Sequence, residues 1–90
     1  MYILEQTGQF NKDIKLAKKR GLNMKLLDKV VTTLVIEGKL PSKYKSHVLK
    51  GNYTGFWECH IQPDWLLVWE QNETIKLISL IRTGTHSDLF

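Results

Sequence analysis

The apolar residues of this chain keep a helical spacing from Phe10 to Gly38 and a strand-like one beyond Pro41, and that division decides which folds are open to it. Phe10, Ile14 and Ala17 recur at helical intervals with Leu16 beside them, while Lys12, Asp13, Lys15, Lys18 and Lys19 fall on the opposite, solvent side. Gly21 supplies the positive-φ stop that suits a residue just past a helix end. Asn23 then offers a side-chain cap to a second helix, whose Leu26, Leu27, Val30, Val31, Leu34 and Val35 form a wide apolar stripe ending at Gly38. Beyond Pro41 the spacing shortens. Residues 56–62, 65–70 and 75–82 are β-rich runs separated only by Pro63-Asp64 and Gln71-Asn72-Glu73, which predicts an antiparallel meander. Residues 2–6 alternate and stop at Thr7-Gly8, a first strand. The basic stretch with Lys43, Tyr44, Lys45 and His47 reads as a loop or a short edge strand. The expected fold is α+β: a small antiparallel β-sheet with two N-terminal α-helices packed on one face.

Size allows nothing larger. Ninety residues at 42% hydrophobic content fill one core, so residues 1–90 are expected to form a single domain. The single cysteine, Cys59, excludes an internal disulfide and leaves no zinc-ligand spacing, so Cys59 is assigned to the core. No apolar run approaches the roughly 18 residues that a membrane span needs. The first residues lack the basic and apolar regions of a secretory signal, and the expected location is the cytoplasm.

Charge is unevenly divided. The formal net charge is +4, but residues 1–50 hold 11 Lys and Arg against 4 acids, and residues 51–90 hold 2 against 5. A basic half of this kind suits a polyanion, either nucleic acid or an acidic protein.

All three histidines, His47, His60 and His86, lie from position 47 onward, largely apart from the basic stretch. The two-residue strand period places Glu58, His60 and Gln62 on one face and Trp57, Cys59 and Ile61 on the other, a chemical face and a core face. Asp64 follows Pro63 at a stiff corner, with Trp65 next, and Arg82 closes the last strand before Thr83-Gly84-Thr85 turns the chain toward His86. Cutting RNA without a metal requires a proton taken from the 2′-hydroxyl, a proton given to the departing 5′-oxygen, and donors for the phosphoryl oxygens. Histidine can serve as either acid or base near neutrality, arginine matches phosphate, and aromatic side chains hold unstacked bases. No cluster of carboxylates suited to magnesium is present, so neither metal nor cofactor is expected.

Residues 45–51, 58–68 and 82–90, with their His47, the Glu58-to-Val68 run and the Arg82-to-Phe90 tail, resemble the YafQ branch of the RelE/ParE toxin superfamily. The stretch around Phe10, Lys12, Asp13 and Lys15 resembles that family's first helix. The resemblance implies the toxin of a type II toxin–antitoxin pair, a ribosome-dependent endoribonuclease that cleaves messenger RNA in the A site and is held inactive by a cognate acidic antitoxin. It places active-site roles at His47, His60, Asp64 and His86, with Arg82 and Phe90 in support. His86 and Asp64 are expected to share the proton transfers, His60 to orient or substitute, His47 to contact phosphate and Arg82 to stabilise the transition state. Trp65 and Phe90 would position substrate or support the site, and Glu58 lies on the His60 face. The alternatives are a ParE-like gyrase inhibitor of the same fold, against which the histidines argue, and a basic RNA-binding module without catalysis.

Overall fold

Thr7 ends the first strand and begins the first helix. Its extended backbone closes β1 (Ile3–Gln6), and its side chain accepts from the Phe10 amide to cap α1 (Gly8–Lys19). In the computed structural model, which describes residues 1–90, α2 (Met24–Glu37) follows, with Asn23 accepting from the Lys25 amide and Gly38 closing the helix at φ 72°. These are the two boundary residues that the sequence predicts. The chain then forms β2 (His47–Val48), β3 (Trp57–Gln62), β4 (Trp65–Asn72), β5 (Leu77–Gly84) and a short closing helix, α3 (His86–Leu89). Single turns of 3-10 helix at Ser42–Tyr44 and Gly51–Tyr53 flank β2.

The sheet order is β1-β5-β4-β3-β2. From β2 to β5 the pairing is antiparallel throughout, as expected of the meander, and β2 is the short edge strand. The first strand departs from the expected antiparallel sheet. It pairs in parallel with β5, Ile3 opposite Leu77 and Gln6 opposite Leu80, so the complete sheet is mixed. Strand periodicity identifies a face but not a direction, which explains why the sequence leaves this open. The consequence is positional: running with β5, the chain leaves β1 at Thr7 beside the C-terminal half of β5, and α1 covers the strand edge that β1 does not reach.

Two apolar clusters lie on opposite faces of the sheet. Phe10, Leu27, Val30 and Leu34 from the helices meet Cys59, Ile61, Trp65, Leu67, Trp69, Ile78 and Leu80 from the strands. That is the helix-covered face. Leu66, Val68 and Leu89 form the smaller cluster, with Leu49, Tyr53, Phe56 and Ile81 packed around them. Here the cover is α3 and the loop before β3, an element that the sequence reading leaves out. Its signal was present in Thr85-Ser87-Asp88: the Thr85 hydroxyl accepts from the Asp88 amide while the Asp88 carboxylate accepts from the Thr85 amide.

Asp13 is the main correction to the helical pattern. It was placed on the solvent side of α1, yet it is 8% exposed. Its carboxylate accepts from Arg82 Nε at 2.8 Å, from Arg82 Nη2 at 3.3 Å and from the Thr83 amide at 3.1 Å. Gln9 Nε2 adds a fourth donor at 3.1 Å. Local spacing cannot reveal a burial whose partners lie some seventy residues away.

Asp13→Ala is therefore expected to leave the Arg82 guanidinium and the Thr83 amide without an acceptor, at a cost on the order of 3 kcal/mol. Thermal unfolding followed by circular dichroism should show a drop comparable with that of Leu34→Ala, a core truncation worth about 2 to 5 kcal/mol. Exposed Asp28→Ala is the control. A midpoint for Asp13→Ala equal to that of Asp28→Ala would show that the buried carboxylate holds nothing together.

Candidate active site

Cross-strand partners share a face, so pairing fixes which side chains stand together. Glu58 opposes Val68 and His60 opposes Leu66, which puts both on the face away from α1 and α2, as the strand period predicts. Two irregularities complete this face. The register between β3 and β4 shifts between His60 and Gln62, at the corner where Pro63 and Asp64 turn the chain. The register between β4 and β5 shifts between Val68 and Trp69, which pair with Arg82 and Leu80 respectively. Simple alternation would put Arg82 on the core face with Ile78 and Leu80. The extra residue, Ile81, brings Arg82 opposite Val68 instead, on the same face as His60.

Asp64 and His86 meet across the top of that face. Asp64 Oδ1 accepts from the His86 ring Nδ1–H at 2.8 Å and from the His86 backbone N–H at 3.0 Å. These two hydrogen bonds hold the Asp64 carboxyl below its ordinary pKa, the backbone bond contributing most. An ionised carboxylate can only accept, so Nδ1 carries a proton toward Asp64 and Nε2 is the ring nitrogen left without a protein partner. His60 is set in the same way: its Nδ1 lies 3.3 Å from the Pro63 carbonyl, an acceptor, which again leaves Nε2 free. The two imidazole centroids are 5.8 Å apart, and Phe90 lies 6.5 Å from His86. Side-chain exposure of 55% at His86 and 66% at Asp64 leaves the pair open to a large substrate.

The mount beneath His86 is firmer than its exposure suggests. Arg20, the C-cap of α1, donates to both carboxylate oxygens of Asp88, at 2.6 and 3.1 Å. Together with the Thr85 amide, Arg20 depresses the Asp88 pKa far below the carboxylate range. Gly84 permits the close fold: a Cβ there would sit 2.9 Å from Asp88 Oδ2. Tyr53 braces the other end, its ring edge-on to Phe90 at 5.4 Å and its hydroxyl donating to the Leu89 carbonyl at 3.4 Å. Neither Arg20, Asp88 nor Tyr53 stands out in the sequence as a site residue. Only the Thr85–Asp88 capping pattern pointed toward them.

The remaining expected residues fall into distinct settings. His47 stands opposite Glu58 on β2, with Nε2 3.3 Å from Glu58 Oε1 and Nδ1 3.1 Å from the Lys45 carbonyl. Glu58 is 4% exposed, and its Oε2 has no hydrogen-bond partner. This pair lies one same-face step along β3 from His60, about 7 Å. Arg82 is held chiefly by Asp13, with the Tyr53 hydroxyl adding a smaller contribution, and both raise its pKa, so it is a fixed positive charge. Trp65 is buried on the helix side, its indole N–H donating to the Thr83 hydroxyl at 2.9 Å, so it supports the frame without facing the imidazoles. Burial pushes the Cys59 thiol up to about 12, which removes it as a nucleophile. No three His, Cys, Asp or Glu side chains converge in metal-binding geometry.

The fold and this imidazole–carboxylate cluster are shared surroundings for many chemistries, and it is sequence comparison that places the chain among the toxins of bacterial toxin–antitoxin systems. Residues 2–90 match the sequence model described as the bacterial toxin of type II toxin–antitoxin system, YafQ, and the chain belongs to that family. It is similar to the mRNA interferase toxin YafQ of Escherichia coli strain K12, 43% identical over 89 residues, covering 97% of this chain and 94% of the relative. Among solved structures it is similar to YafQ from E. coli strain BL21(DE3), with TM-score 0.92 and 38% identity over 100% of this chain and 99% of that one. YafQ in the E. coli DinJ–YafQ complex gives TM-score 0.90 and 40% identity over the same shares. A metal-bound toxin from Helicobacter pylori gives TM-score 0.90 and 44% identity over 100% of both chains.

The carboxylate bonds around α3 have a pH signature. Asp64 and Asp88 have folded-state pKa values below their unfolded ones, so their contribution is complete above the ordinary value of about 3.9. As pH falls from there through the lowered values, the unfolded chain binds protons first and that contribution is lost. Thermal midpoints measured downward from pH 5 should fall less steeply for Asp88→Asn than for the wild type. Parallel curves would show that Asp88 gains nothing from Arg20.

Proposed function

We propose that this protein is an endoribonuclease that cleaves messenger RNA in the ribosomal A site, and that it acts in the cytoplasm under the control of an acidic antitoxin. The observation supporting this reading is the His86–Asp64 pair beside His60, two imidazoles with free Nε2 atoms on an open face. Membership of the YafQ family and likeness to a relative named as an mRNA interferase supply the substrate class. The likeness to YafQ in complex with DinJ supplies the antitoxin.

His86 Nε2 exchanges the proton, and Asp64 holds the ring in its working tautomer and stabilises the imidazolium as it forms. This divides the work more sharply than a shared proton transfer between the two residues. His60 Nε2 serves the opposite end of the phosphodiester. As one base removes the 2′-hydroxyl proton, the 2′-oxygen bonds to phosphorus and the bond to the 5′-oxygen breaks, that oxygen leaving with a proton from the other imidazole. The products are a 2′,3′-cyclic phosphate and a 5′-hydroxyl. Arg82 supplies positive charge toward the phosphoryl oxygens, His47 contacts them, and Phe90 presents a ring to the neighbouring base.

The test is primer extension on programmed ribosomes. Wild-type protein should cut within the A-site codon, while His86→Ala and Asp64→Ala lose at least about 100-fold in rate, with thermal midpoints close to the wild type. A 2′-deoxy or 2′-O-methyl nucleotide at the cut site should block cleavage but not binding, and exchange of magnesium for cobalt hexammine on intact ribosomes should not. Because a related toxin has been seen metal-bound, the exchange is the sharper arm. Products ending in a 3′-hydroxyl and 5′-phosphate would sink the mechanism. Inhibition of supercoiling without cleavage would favour the gyrase reading.

A further inference from the structure

One cavity opens beside the imidazole cluster, its apolar floor formed by Leu26, Tyr44 and Ile61 at the margin of the larger core. It has a volume of about 510 Å³, and its wall includes Lys29 from α2, Lys43 and Lys45 from the turn after Pro41, and His60 and Gln62 from β3. No acidic residue lines it, and Lys29, Lys43 and Lys45 form no ion pair anywhere in the molecule. Three exposed lysines thus line one cavity with no acidic partner, the Lys43 ammonium standing 5.1 Å over the Tyr44 ring. Lys45 is also held in the left-handed region at φ 53°, a conformation that costs a non-glycine residue on the order of 1 kcal/mol. The backbone that holds it there is tied to the site, since the Lys45 carbonyl faces His47 Nδ1 at 3.1 Å. His60 is the shared wall: one side of its environment is the cavity, the other is His86 at 5.8 Å between ring centroids.

We propose that this cavity is a binding subsite for the sugar–phosphate backbone of the single RNA strand, taking the nucleotides on one side of the scissile bond as the strand turns around the β3–β4 corner. The inference rests on the RNA-cleaving reading of the His60–His86 cluster and extends it from the reacting phosphate to its neighbours. Lysine ammonium groups are point charges without the planar fork of arginine, so they hold phosphate without reading a base, and the subsite adds affinity independent of sequence.

The test uses the intact protein and non-cleavable 2′-O-methyl oligoribonucleotides, one short enough to fill only the imidazole cluster and others extended to either side. For wild type, extension on one side should tighten binding on the order of 10-fold, and the other side should add much less. The variant Lys29→Gln/Lys43→Gln/Lys45→Asn should lose that gain, with its salt slope reduced by about 2, since each single-strand phosphate contact contributes about 0.7. Lys12→Gln/Lys15→Gln/Lys18→Gln on α1 removes the same net charge and should keep both. If the two triple variants behave alike while wild type cleaves messenger, the subsite is wrong and the nuclease stands. If the cavity variant binds RNA normally but loses its hold on an acidic antitoxin peptide, the cavity is a protein seat and the proposal is overturned. If wild type neither binds nor cuts RNA, both readings fail together.

Discussion

The carboxylate of Asp13 is the contact on which the arrangement of this protein depends. A strand edge exposes backbone donors, and β5 would expose the Thr83 amide because β1 ends opposite Leu80. Asp13 takes that donor and in addition clamps the Arg82 guanidinium through two nitrogens. A charge buried to 8% exposure is tolerable only with such a set of partners. Because Arg82 sits on the far side of a register shift, the same carboxylate that fastens α1 to the sheet also fixes the cation on the site face. Fold and site are joined at one residue.

A second restraint follows from the direction of α1. Its C-cap, Arg20, reaches Asp88 at 2.6 Å, and Asp88 is the residue that closes the capping box of α3. A four-residue helix has too few internal hydrogen bonds to hold itself. Here it is held by Arg20 from outside, by the Leu89 side chain in the smaller apolar cluster and by Tyr53 against Phe90. His86 is thereby exposed at its ring and fixed at its backbone. That combination suits an acid–base group working on a polymer, which must reach bulky substrate without wandering from its carboxylate.

The sequence displayed the elements whose signals are local. Asn23 and Gly38 bounded α2, and alternation along β3 separated Cys59 and Ile61 from Glu58 and His60. What stayed hidden depends on pairing between distant parts of the chain. The parallel direction of β1, the burial of Asp13 and the reach of Arg20 to Asp88 are all contacts across about seventy residues. The bulge at Ile81 is a different case: it decides which face Arg82 joins, and an inserted residue leaves no mark in a two-residue period. Tyr53 escaped for want of any pattern around it. Of the site itself, the resemblance supplied His47, His60, Asp64, His86, Arg82 and Phe90 as a set, and the structure separates them into a His60–Asp64–His86 cluster with Phe90 beside it, an outlying His47–Glu58 pair and an anchored cation.

The uneven charge of the two halves takes on meaning in this arrangement. The acids of the C-terminal half are largely spent inside the protein: Asp64 on His86, Asp88 on Arg20, Glu73 on Tyr2 and Lys76, Glu58 beside His47. Asp88 and Glu73 face the cations Arg20 and Lys76, so those two charges cancel locally, while Asp64 and Glu58 stand against imidazoles. The N-terminal lysines, in contrast, are mostly unpaired and act at a distance. Attraction of a polyanion and chemistry upon it are thus assigned to different groups, the first screened by salt and the second dependent on short hydrogen bonds that salt barely alters. Raising ionic strength acts on encounter and on strand binding, while the spacing of His60, His86 and Asp64, set by the sheet corner and the capped helix, stays as the fold leaves it.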